Sequence, residues 1–461
     1  MRSAARASGK SGPRAVPERE RLSGETVKSV RIALLGCGTV GEGVVRLLRN
    51  NAASYERKLG APLELVGIAD RSLAPIPKLG VTNRLITRDN PGLVARDDVD
   101  IVVELFGGRE PARTLILQAL ASGKDVVTGN KALLAECGAE IFGAAARRHL
   151  AVGFEASVGG GVPIIRTLRE ALAGDRQRAV YGIVNGTCNS ILTTMGARGV
   201  DFETALAEAQ RAGLAEANPA LDVEGHDAAH KLCLLVTLAF GALLKPAQVH
   251  TEGITRLTQT DIGYARELGF IVKLLAIAKN DDGAIEARVH PTMLPAGHLM
   301  ASVGGAFNAI YIQSEALGST MFSGLGAGQM PTATAVMADI LDIARARLAG
   351  HGQRGHALGL PFEHLRRPRI KPIDDVICEY YLRFMARDEP GVLGRIASVL
   401  GRGGISIASV IQKGRGAEGS VPVIMRTHEA RERNLVRALA HIRRSRIVDA
   451  EPVFIRIEES L

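Results

Sequence analysis

The chain has 461 residues, of which 46% are hydrophobic and 23% charged, which is enough sequence for two or three globular domains. Its formal net charge of +9 resides at the two ends, because residues 1–28 carry +4, residues 380–461 carry +5, and the segment between them is neutral. A neutral body with no tryptophan and only 4% aromatic residues lacks the basic groove and the stacking surfaces of a nucleic-acid-binding protein.

The sequence also argues against a membrane or secreted protein. The longest apolar run, Leu232–Leu244, is too short to span a bilayer, and no signal-peptide hydrophobic segment lies near the start. The cysteines are scattered without C-x-x-C pairs, which favours a reducing compartment and argues against a structural metal site. We therefore expect a cytoplasmic protein. The five cysteines are Cys37, Cys137, Cys188, Cys233 and Cys378.

Residues 1–28 are polar, low in apolar content and interspersed with Gly, Pro and Ser, which is typical of a disordered extension. The first seventeen residues contain basic residues and no acid, as a mitochondrial targeting segment also would. No amphipathic, Arg-rich helix emerges from them, so the disordered extension is the preferred interpretation.

From residue 29 to 155 the pattern alternates between strands and helices. The strands are short, continuously apolar runs, which indicates a parallel sheet covered by helices on both faces. The predicted strands are Arg31–Leu35, Leu65–Ala69, Ile101–Leu105, Val126–Thr128 and Ala151–Phe154.

The first of these strands leads directly into GCGTVG, which places Gly36, Gly38 and Gly41 at G-x-G-x-x-G spacing before a predicted helix. Such glycines permit a tight turn, close approach of the pyrophosphate and packing of the helix on the strand, so this segment predicts a Rossmann dinucleotide-binding domain. The second strand ends at Asp70, which would favour NAD, and Arg71 follows, which would suit the 2′-phosphate of NADP. We favour NADP or use of both cofactors.

Residues 156–350 mix longer helical patterns with a few strands and predict a second, α+β domain. The predicted helices are Val162–Leu172, Asp201–Ala212, Asp227–Leu244, Asp261–Ala278 and Thr332–Leu348. The predicted strands lie at Arg178–Val184, Ile285–Met293 and Asn308–Glu315. Residues 351–379, rich in Gly, His, Pro and Arg over much of their length, are expected to form a linker.

Residues 380–461 alternate in the order βαββαβ, which is the ferredoxin-like arrangement. The predicted fold is therefore α/β. The extension comes first in the chain, and three domains follow it.

The segment Gly213–Lys231, GLAEANPALDVEGHDAAHK, concentrates acidic residues at the start of an apolar helix. Asp227 and Lys231 are four residues apart, so their side chains share one helix face and can enter one cleft. An ordinary salt bridge on a solvated helix is the alternative. The apolar character of the following helix favours a buried site.

Seven motifs occur in order along the chain: GCGTVG, IVVELFGGREPA, VVTGNKALLA, GFEASVGGGVPII, NGTCNSIL, GLAEANPALDVEGHDAAHK and GLGAGQMPTATAVMAD. Together they resemble the homoserine dehydrogenases of the monofunctional type with a C-terminal ACT domain. The resemblance runs from Val30 to the C-terminus.

The resemblance implies NAD(P)-dependent interconversion of L-homoserine and L-aspartate 4-semialdehyde, in the biosynthesis of threonine, methionine and isoleucine. It assigns catalytic roles to Lys231, Lys131 and Asp227, and a substrate ammonium would be held by acids. The substrate-binding positions are Glu216, Asp222 and Asp227. The positions expected around the cofactor are Gly36, Gly38, Thr39, Val40, Gly41, Arg71, Lys131, Gly213, Gly326 and Gly328.

The resemblance further implies a monovalent-cation site for sodium, in which one carboxylate joins backbone carbonyls at Glu155, Val158, Gly160 and Val162. The central domain would serve catalysis and dimerisation, and we expect a homodimer or homotetramer. The ACT domain, with the turn ARDEPGVLGRI, would bind an amino-acid effector, for which threonine is the hypothesis; dimerisation without a ligand is the alternative.

Four positions depart from the family pattern. Leu214 and Asn218 stand where an aromatic residue and an acid are usual, Gly129 replaces an alanine, and Ser190 replaces an aromatic residue. They leave Lys231 in place and bear on the shape of the substrate pocket.

Two other functions compete with this one. A thiol-dependent aspartate-semialdehyde dehydrogenase would use Cys188 as nucleophile, with His226 or His230 as base. A non-catalytic amino-acid sensor would use the Rossmann and ACT domains for binding alone, and the charged cluster at Gly213–Lys231 argues against it.

Overall fold

The computed structural model describes residues 29–281, 283–350, 356–413, 419–459 and 461. The predicted disordered extension, 1–28, lies outside this part of the chain, as do residues 351–355 of the predicted linker. Within the described residues, no helix is both long enough and apolar enough to cross a membrane.

The N-terminal domain is the predicted parallel sheet with helices on both faces. Its strands are β1 (Val30–Leu35), β2 (Leu63–Ala69), β3 (Ile86–Thr87), β4 (Ile101–Glu104), β5 (Asp125–Thr128) and β6 (Val152–Gly153), in the order β3-β2-β1-β4-β5-β6. Its helices are α1 (Thr39–Asn50), α2 (Ala52–Leu59), α3 (Asn90–Ala95), α4 (Ala112–Ala121) and α5 (Lys131–Arg147). The Rossmann prediction is confirmed. The strand order reverses between β1 and β4, where a dinucleotide binds in such sheets.

The central region contributes a mainly antiparallel sheet and several helices. Its strands are β7 (Gln177–Ile183), β8 (His250–Thr251), β9 (Phe270–Asp281), β10 (Ala284–Pro295), β11 (Phe307–Ser314) and β12 (Gly318–Leu325). Its helices are α6 (Ile164–Arg166), α7 (Gly186–Arg198), α8 (Phe202–Arg211), α9 (Ala220–Val223), α10 (His226–Phe240), α11 (Gln259–Glu267) and α12 (Gln329–Leu348).

One predicted helix in this region is wrong. The segment Asp261–Ala278 is helical only as far as Glu267, and β9 begins at Phe270. Gly269 adopts φ +85°, a left-handed conformation that ends the helix. The apolar run that follows pairs with β7 and β10 on either side, so it is a central strand of the sheet.

Helix α12 packs against the dinucleotide-binding domain. A Cβ added to Gly43 of α1 would lie 2.8 Å from the Cβ of Ala333, so the two helices approach as closely as a glycine allows. Val336 and Ile340 of α12 belong to the same hydrophobic core as β1. Residues after the central sheet therefore return to close one face of the cofactor domain.

The C-terminal domain has the predicted βαββαβ order. It consists of β14 (Ile377–Arg387), α13 (Val392–Arg402), β15 (Ile407–Gln412), β16 (Ser420–Thr427), β17 (Ala430–Arg431), α14 (Glu432–Arg444) and β18 (Val453–Ile457), and it is preceded by β13 (Arg369–Ile370), which pairs with β10. The ferredoxin-like prediction is confirmed.

The two sheets of the central and C-terminal regions are continuous. Strand β18 pairs with β14 on one side and, in parallel, with β10 on the other, through Thr292 opposite Arg456 and Met293 opposite Ile457. Arg456 is buried at this junction and bonds the carboxylates of Glu432 and Glu252. A buried arginine with two carboxylate partners fixes the register of the two domains.

Candidate active site

The glycine loop has the geometry that a pyrophosphate requires. Gly36 adopts φ +92°, and a Cβ at Gly41 would lie 2.3 Å from the carbonyl oxygen of Gly36, so α1 packs directly on the turn. A Cβ at Gly38 would meet no atom within 4 Å, which leaves open space above the second glycine. Helix α1 begins at Thr39 without a side-chain cap, so its first amides are available to phosphate oxygens.

The acid at the end of β2 is engaged by the backbone. The Asp70 carboxylate accepts hydrogen bonds from the amides of Cys37 (2.6 Å) and Ser72 (2.8 Å). Arg71 is exposed beside it and makes no ion pair with any described residue. The loop that would receive a ribose or its 2′-phosphate thus presents an available guanidinium. Burial and the Asp70 charge raise the pKa of the Cys37 thiol to about 11, so Cys37 is a small buried residue of the turn.

The predicted Asp227–Lys231 pair is present and buried. Helix α10 begins at His226 after Gly225, whose φ of +87° allows α9 and α10 to meet in a tight turn. The Lys231 ammonium donates to the Asp227 carboxylate (2.7 Å) and to the carbonyl oxygen of Val184 (2.6 Å). Both side chains are about nine-tenths buried, which rules out the ordinary surface salt bridge.

Lys131 reaches the same carboxylate from the other domain. It is the first residue of α5, whose N-terminus is capped by the Asn130 side chain, and its ammonium lies 3.0 Å from Asp227. Its side chain is 40% exposed, against 10% for Lys231. Asp227 therefore bridges the dinucleotide-binding domain and the central domain, with one buried and one accessible lysine.

Asn185 is a site residue that the sequence interpretation did not single out. It ends the turn between β7 and α7, and its amide nitrogen donates to both Asp222 (2.7 Å) and Asp227 (2.8 Å). Its amide oxygen caps α7 by accepting from the Cys188 amide. The signal was available in NGTCNS, where an asparagine stands between an apolar strand and a helix, as N-cap residues do.

Burial and charge make the two lysines chemically different. Burial lowers the pKa of Lys231, although the nearby Asp227 raises it in part. The pKa of Lys131 is instead raised, chiefly by the charge of Asp227 and further by Asp222 and Glu216. Burial would raise the pKa of Asp227, but the two lysines outweigh it and hold that carboxyl ionised. For Asp222 burial dominates, and its pKa is raised.

The remaining residues of the acidic segment lie at the rim. Glu216 is exposed, and its charge still acts on Lys131. Gly213, with φ +70° and open space at its Cβ position, leaves room for a ligand after α8. The departures Leu214 and Asn218 are also at this rim: Leu214 is 41% exposed, and the Asn218 side chain accepts from the Ala220 amide at the start of α9. Neither displaces the central charged cluster.

The other two departures from the family pattern are Gly129 and Ser190. A Cβ at Gly129 would lie 3.5 Å from the Cβ of Ala156, an ordinary contact, so an alanine would fit there. Ser190 lies half-buried on α7, and nothing in the structure explains it.

Cys188 does not have the environment of a catalytic thiol. It is fully buried, its Sγ donates to the carbonyl oxygen of Asp222, and burial raises its pKa well above the usual value. A nucleophilic cysteine requires the opposite shift. His226 contacts Glu224 on the surface instead.

The segments expected to hold a cation and the cofactor meet at one loop. A Cβ at Gly160 would lie 2.4 Å from the carbonyl oxygen of Gly326, and Gly328 adopts φ +126° just before α12. The Asn308 side chain, fully buried, lies against Gly326 and has no hydrogen-bond partner among the described residues. A buried amide without partners indicates that a ligand or water completes this loop.

Within the loop, backbone carbonyls differ in their availability. Those of Val158 and Gly160 are buried and accept no hydrogen bond from any described residue. The Val162 carbonyl accepts from the Ile164 amide (2.8 Å), and both carboxylate oxygens of Glu155 accept from the amides that begin α6. Two free buried carbonyls suit a hard cation.

A second residue outside the sequence interpretation is Glu104, which ends β4 at the carboxyl edge of the parallel sheet. It is fully buried and accepts hydrogen bonds from the Thr128 hydroxyl (2.6 Å) and the Phe106 amide (2.7 Å). Burial raises its pKa to about 7. Glu104 therefore supports the loop after β4 and, through Thr128, the turn that leads to Lys131. An acid that ends the apolar run IVVE was its signal in the sequence.

Comparison with known families agrees with this geometry over most of the chain. Residues 36–155 match the family described as "Homoserine dehydrogenase, NAD binding domain", residues 163–341 match "Homoserine dehydrogenase", and residues 380–446 match "ACT domain". The homoserine dehydrogenase of Neisseria gonorrhoeae is 42% identical over 432 residues, covering 94% of this chain and 99% of the relative. That of Corynebacterium glutamicum is 42% identical over 437 residues, covering 93% and 96%.

Solved structures show the same relationship. A homoserine dehydrogenase from Thiobacillus denitrificans superposes with a TM-score of 0.89 at 43% identity, covering 94% of this chain and 99% of that one. A hyperthermophilic archaeal homoserine dehydrogenase, solved in complex with NADPH, superposes with a TM-score of 0.60 at 27% identity, covering 69% of this chain and 98% of its own. With a dinucleotide loop, a charged cleft between two domains and this breadth of similarity, the chain belongs to the homoserine dehydrogenase family, whose members are NAD(P)-dependent oxidoreductases.

Proposed function

We propose that Lys231 transfers the proton at the substrate oxygen and that Lys131 and the acidic residues bind and orient the substrate. The observation that supports this most directly is the pair of unlike lysines around Asp227. A buried lysine with a lowered pKa gives up its proton more readily than an exposed lysine does, as a general base must. A lysine with a raised pKa stays charged and can bind a carboxylate or polarise an oxygen.

The chemistry divides between cofactor and protein. The loop of Gly36, Gly38 and Gly41 would hold a nicotinamide cofactor, which would supply the acceptor for the hydride on the carbon that bears the homoserine hydroxyl. Lys231 takes the hydroxyl proton. Asp227 holds the Lys231 side chain in position before the substrate arrives. Asp222, Asp227 and the rim acid Glu216 provide negative charge for the substrate ammonium. In the reverse direction, Lys231 returns the proton to the oxygen of the semialdehyde.

The first prediction concerns Lys231→Met. We expect kcat for homoserine oxidation to fall roughly 10²–10⁴-fold, because a positioned acid/base contributes about that factor. In the unsubstituted enzyme the rate should rise with pH as Lys231 loses its proton, with an apparent pKa below the usual lysine value, because burial favours the neutral form. A spectrophotometric assay of reduced cofactor across pH measures both.

The matched control is Lys58→Met, on the exposed surface of α2. It should keep both kcat and the pH profile. If Lys231→Met also retained the rate and the profile of the unsubstituted enzyme, the assignment of Lys231 would be wrong.

We propose that the enzyme uses NADP in preference to NAD, with Arg71 on the 2′-phosphate. The support is the exposed Arg71 guanidinium, which forms no ion pair with a described residue, and the adjacent Asp70, whose two carboxylate oxygens already accept from backbone amides. A carboxylate engaged in this way is less available to a ribose hydroxyl, and an arginine suits a phosphate dianion.

Accordingly, Arg71→Ala should raise the KM for NADP by about tenfold or more, since a charge-assisted hydrogen bond contributes roughly 1.5–3 kcal/mol. The KM for NAD should change little. Arg57→Ala, an exposed arginine of α2, is the control. Equal effects of Arg71→Ala on both cofactors would contradict the proposal.

We propose further that sodium binds the loop that contains Glu155, Val158, Gly160 and Val162. The free carbonyls of Val158 and Gly160 would be its firmest ligands, and remaining lone pairs on Glu155 and Val162 could complete the shell. Such an ion would order the contact between this loop and Gly326.

The test is thermal unfolding in sodium chloride and in tetramethylammonium chloride at equal ionic strength. Because a ligand that binds only the folded state stabilises it by mass action, Tm should rise and saturate with sodium alone. Superimposable curves in the two salts would exclude a specific sodium site.

For the ACT domain, we propose that threonine binds at the turn that leads from β14 into α13 and lowers the activity. The support is the exposed first turn of α13 beyond Gly391, whose φ of +89° makes a tight entry to the helix. Because β18 belongs to the shared sheet, point variants test this better than removal of the domain.

The chosen variant is Gly394→Gln, on the first turn of α13, where an added Cβ meets no atom within 4 Å. It should weaken threonine inhibition about tenfold or more without changing the uninhibited rate. Gly401→Gln, equally open at the other end of α13, should leave inhibition intact. Inhibition curves that coincide for the two variants would place the effector elsewhere.

A further inference from the structure

A cavity of about 250 Å³ lies outside the active site, between α7, α11, the start of β9 and the segment 301–304. Its walls include aliphatic side chains from three elements, namely Leu192, Ile262 and Ile271. It also includes two basic residues, Lys273 and Arg266, and no acidic residue. The cavity is open to solvent on one side, since Arg266 is exposed.

Lys273 is the unusual member of this cavity. Only 3% of the residue is exposed, and its ammonium donates to the Asn189 side chain (3.0 Å) and to the carbonyl oxygen of Val303 (2.6 Å). No carboxylate of the described residues forms an ion pair with it, and the two acceptors just named are the only ones that its ammonium has among them. Burial alone lowers its pKa to about 8, so it is still mostly charged at neutral pH.

Lys231, another buried lysine of the central domain, has the counter-ion that Lys273 lacks among the described residues. Lys231 has Asp227 within hydrogen-bond distance, and that carboxylate compensates its burial. A buried ammonium without a counter-ion is costly, and the usual remedy is an anion. The two acids of α11 are paired with other cations: Asp261 is bound by Arg383, and Glu267 by Lys413.

Arg266 adds positive potential on the same side. Its guanidinium donates to the carbonyl oxygen of Gly196 and forms no ion pair with any described residue. The cavity thus combines two cations, no carboxylate and a mainly aliphatic lining with the hydroxyls of Thr193 and Ser302, and these features suit a ligand with one anionic end and an apolar body. An ammonium group on the ligand would find no acid in this lining.

We propose that this cavity binds a small aliphatic carboxylate, whose carboxylate pairs with Lys273 and whose hydrocarbon part lies against Leu192, Ile262 and Ile271. The site is separate from the substrate pocket and does not depend on the catalytic roles assigned above. It differs from an amino-acid site because it offers the ligand no acidic partner.

The probe is 3-methylbutanoate, titrated calorimetrically into the full chain at neutral pH. We expect saturable binding of one molecule per chain, and no heat from the neutral isostere 3-methylbutanamide. Lys273→Met should weaken the binding about tenfold or more, because one charge-assisted contact is lost. Lys58→Met, on the exposed surface of α2, should bind as the unsubstituted chain does.

A second variant separates loss of binding from loss of folding. Gly196→Met fills the cavity from α7, where the nearest atom to an added Cβ is a methyl of Ile262 at 3.8 Å, and it leaves Lys273 in place. It should abolish the heat while the circular dichroism and the homoserine-oxidation rate stay unchanged. The proposal is overturned if 3-methylbutanoate gives no saturable heat, if the amide binds equally well, or if Gly196→Met binds normally.

Discussion

The position of Asp227 between two ammonium groups is the constraint on which the active site depends. Lys231 belongs to the same helix, whereas Lys131 comes from the dinucleotide-binding domain, so one carboxylate fixes the distance between the two halves of the cleft. Asn185 holds Asp227 and Asp222 together from a third direction. Because each group is satisfied by the others, the cluster can remain charged away from water, where an isolated carboxylate would be neutralised.

The same cluster explains how two lysines at one carboxylate acquire different properties. Lys231 is enclosed by α10 and the end of β7, so burial outweighs the attraction of Asp227. Lys131 remains accessible at the start of α5, so the attraction outweighs burial. The depth of each lysine in the cleft, rather than its residue type, thus determines which one exchanges a proton and which one stays charged.

Short sequence patterns predicted those parts of the fold and of the site that depend on residues close together in the chain. The glycine loop, the parallel alternation and the Asp227–Lys231 pair all depend on residues within a few positions of one another. Lys131 and Asp227 meet only because two domains close on each other, which no spacing encodes; the family resemblance placed Lys131 near the site. The prediction of a helix over 261–278 was wrong because an apolar run is compatible with either a helix or a central strand until its neighbours are known. Asn185 and Glu104 were visible as polar residues at strand ends, but their partners are distant in sequence.

The pairing of β18 with β10 also bears on the order in which the molecule can be completed during synthesis. Arg288 of β10 is buried and bonds Glu286 and Glu458, and the second of these lies just beyond β18, at the end of the chain. Glu252, in the segment that leads to α11, accepts a hydrogen bond from Arg456 of β18. Until β18 and Glu458 have been synthesised, Thr292 and Met293 of β10 lack their pairing with β18, and Arg288 and Glu252 lack these partners. The central sheet is thus completed by a strand of the C-terminal domain.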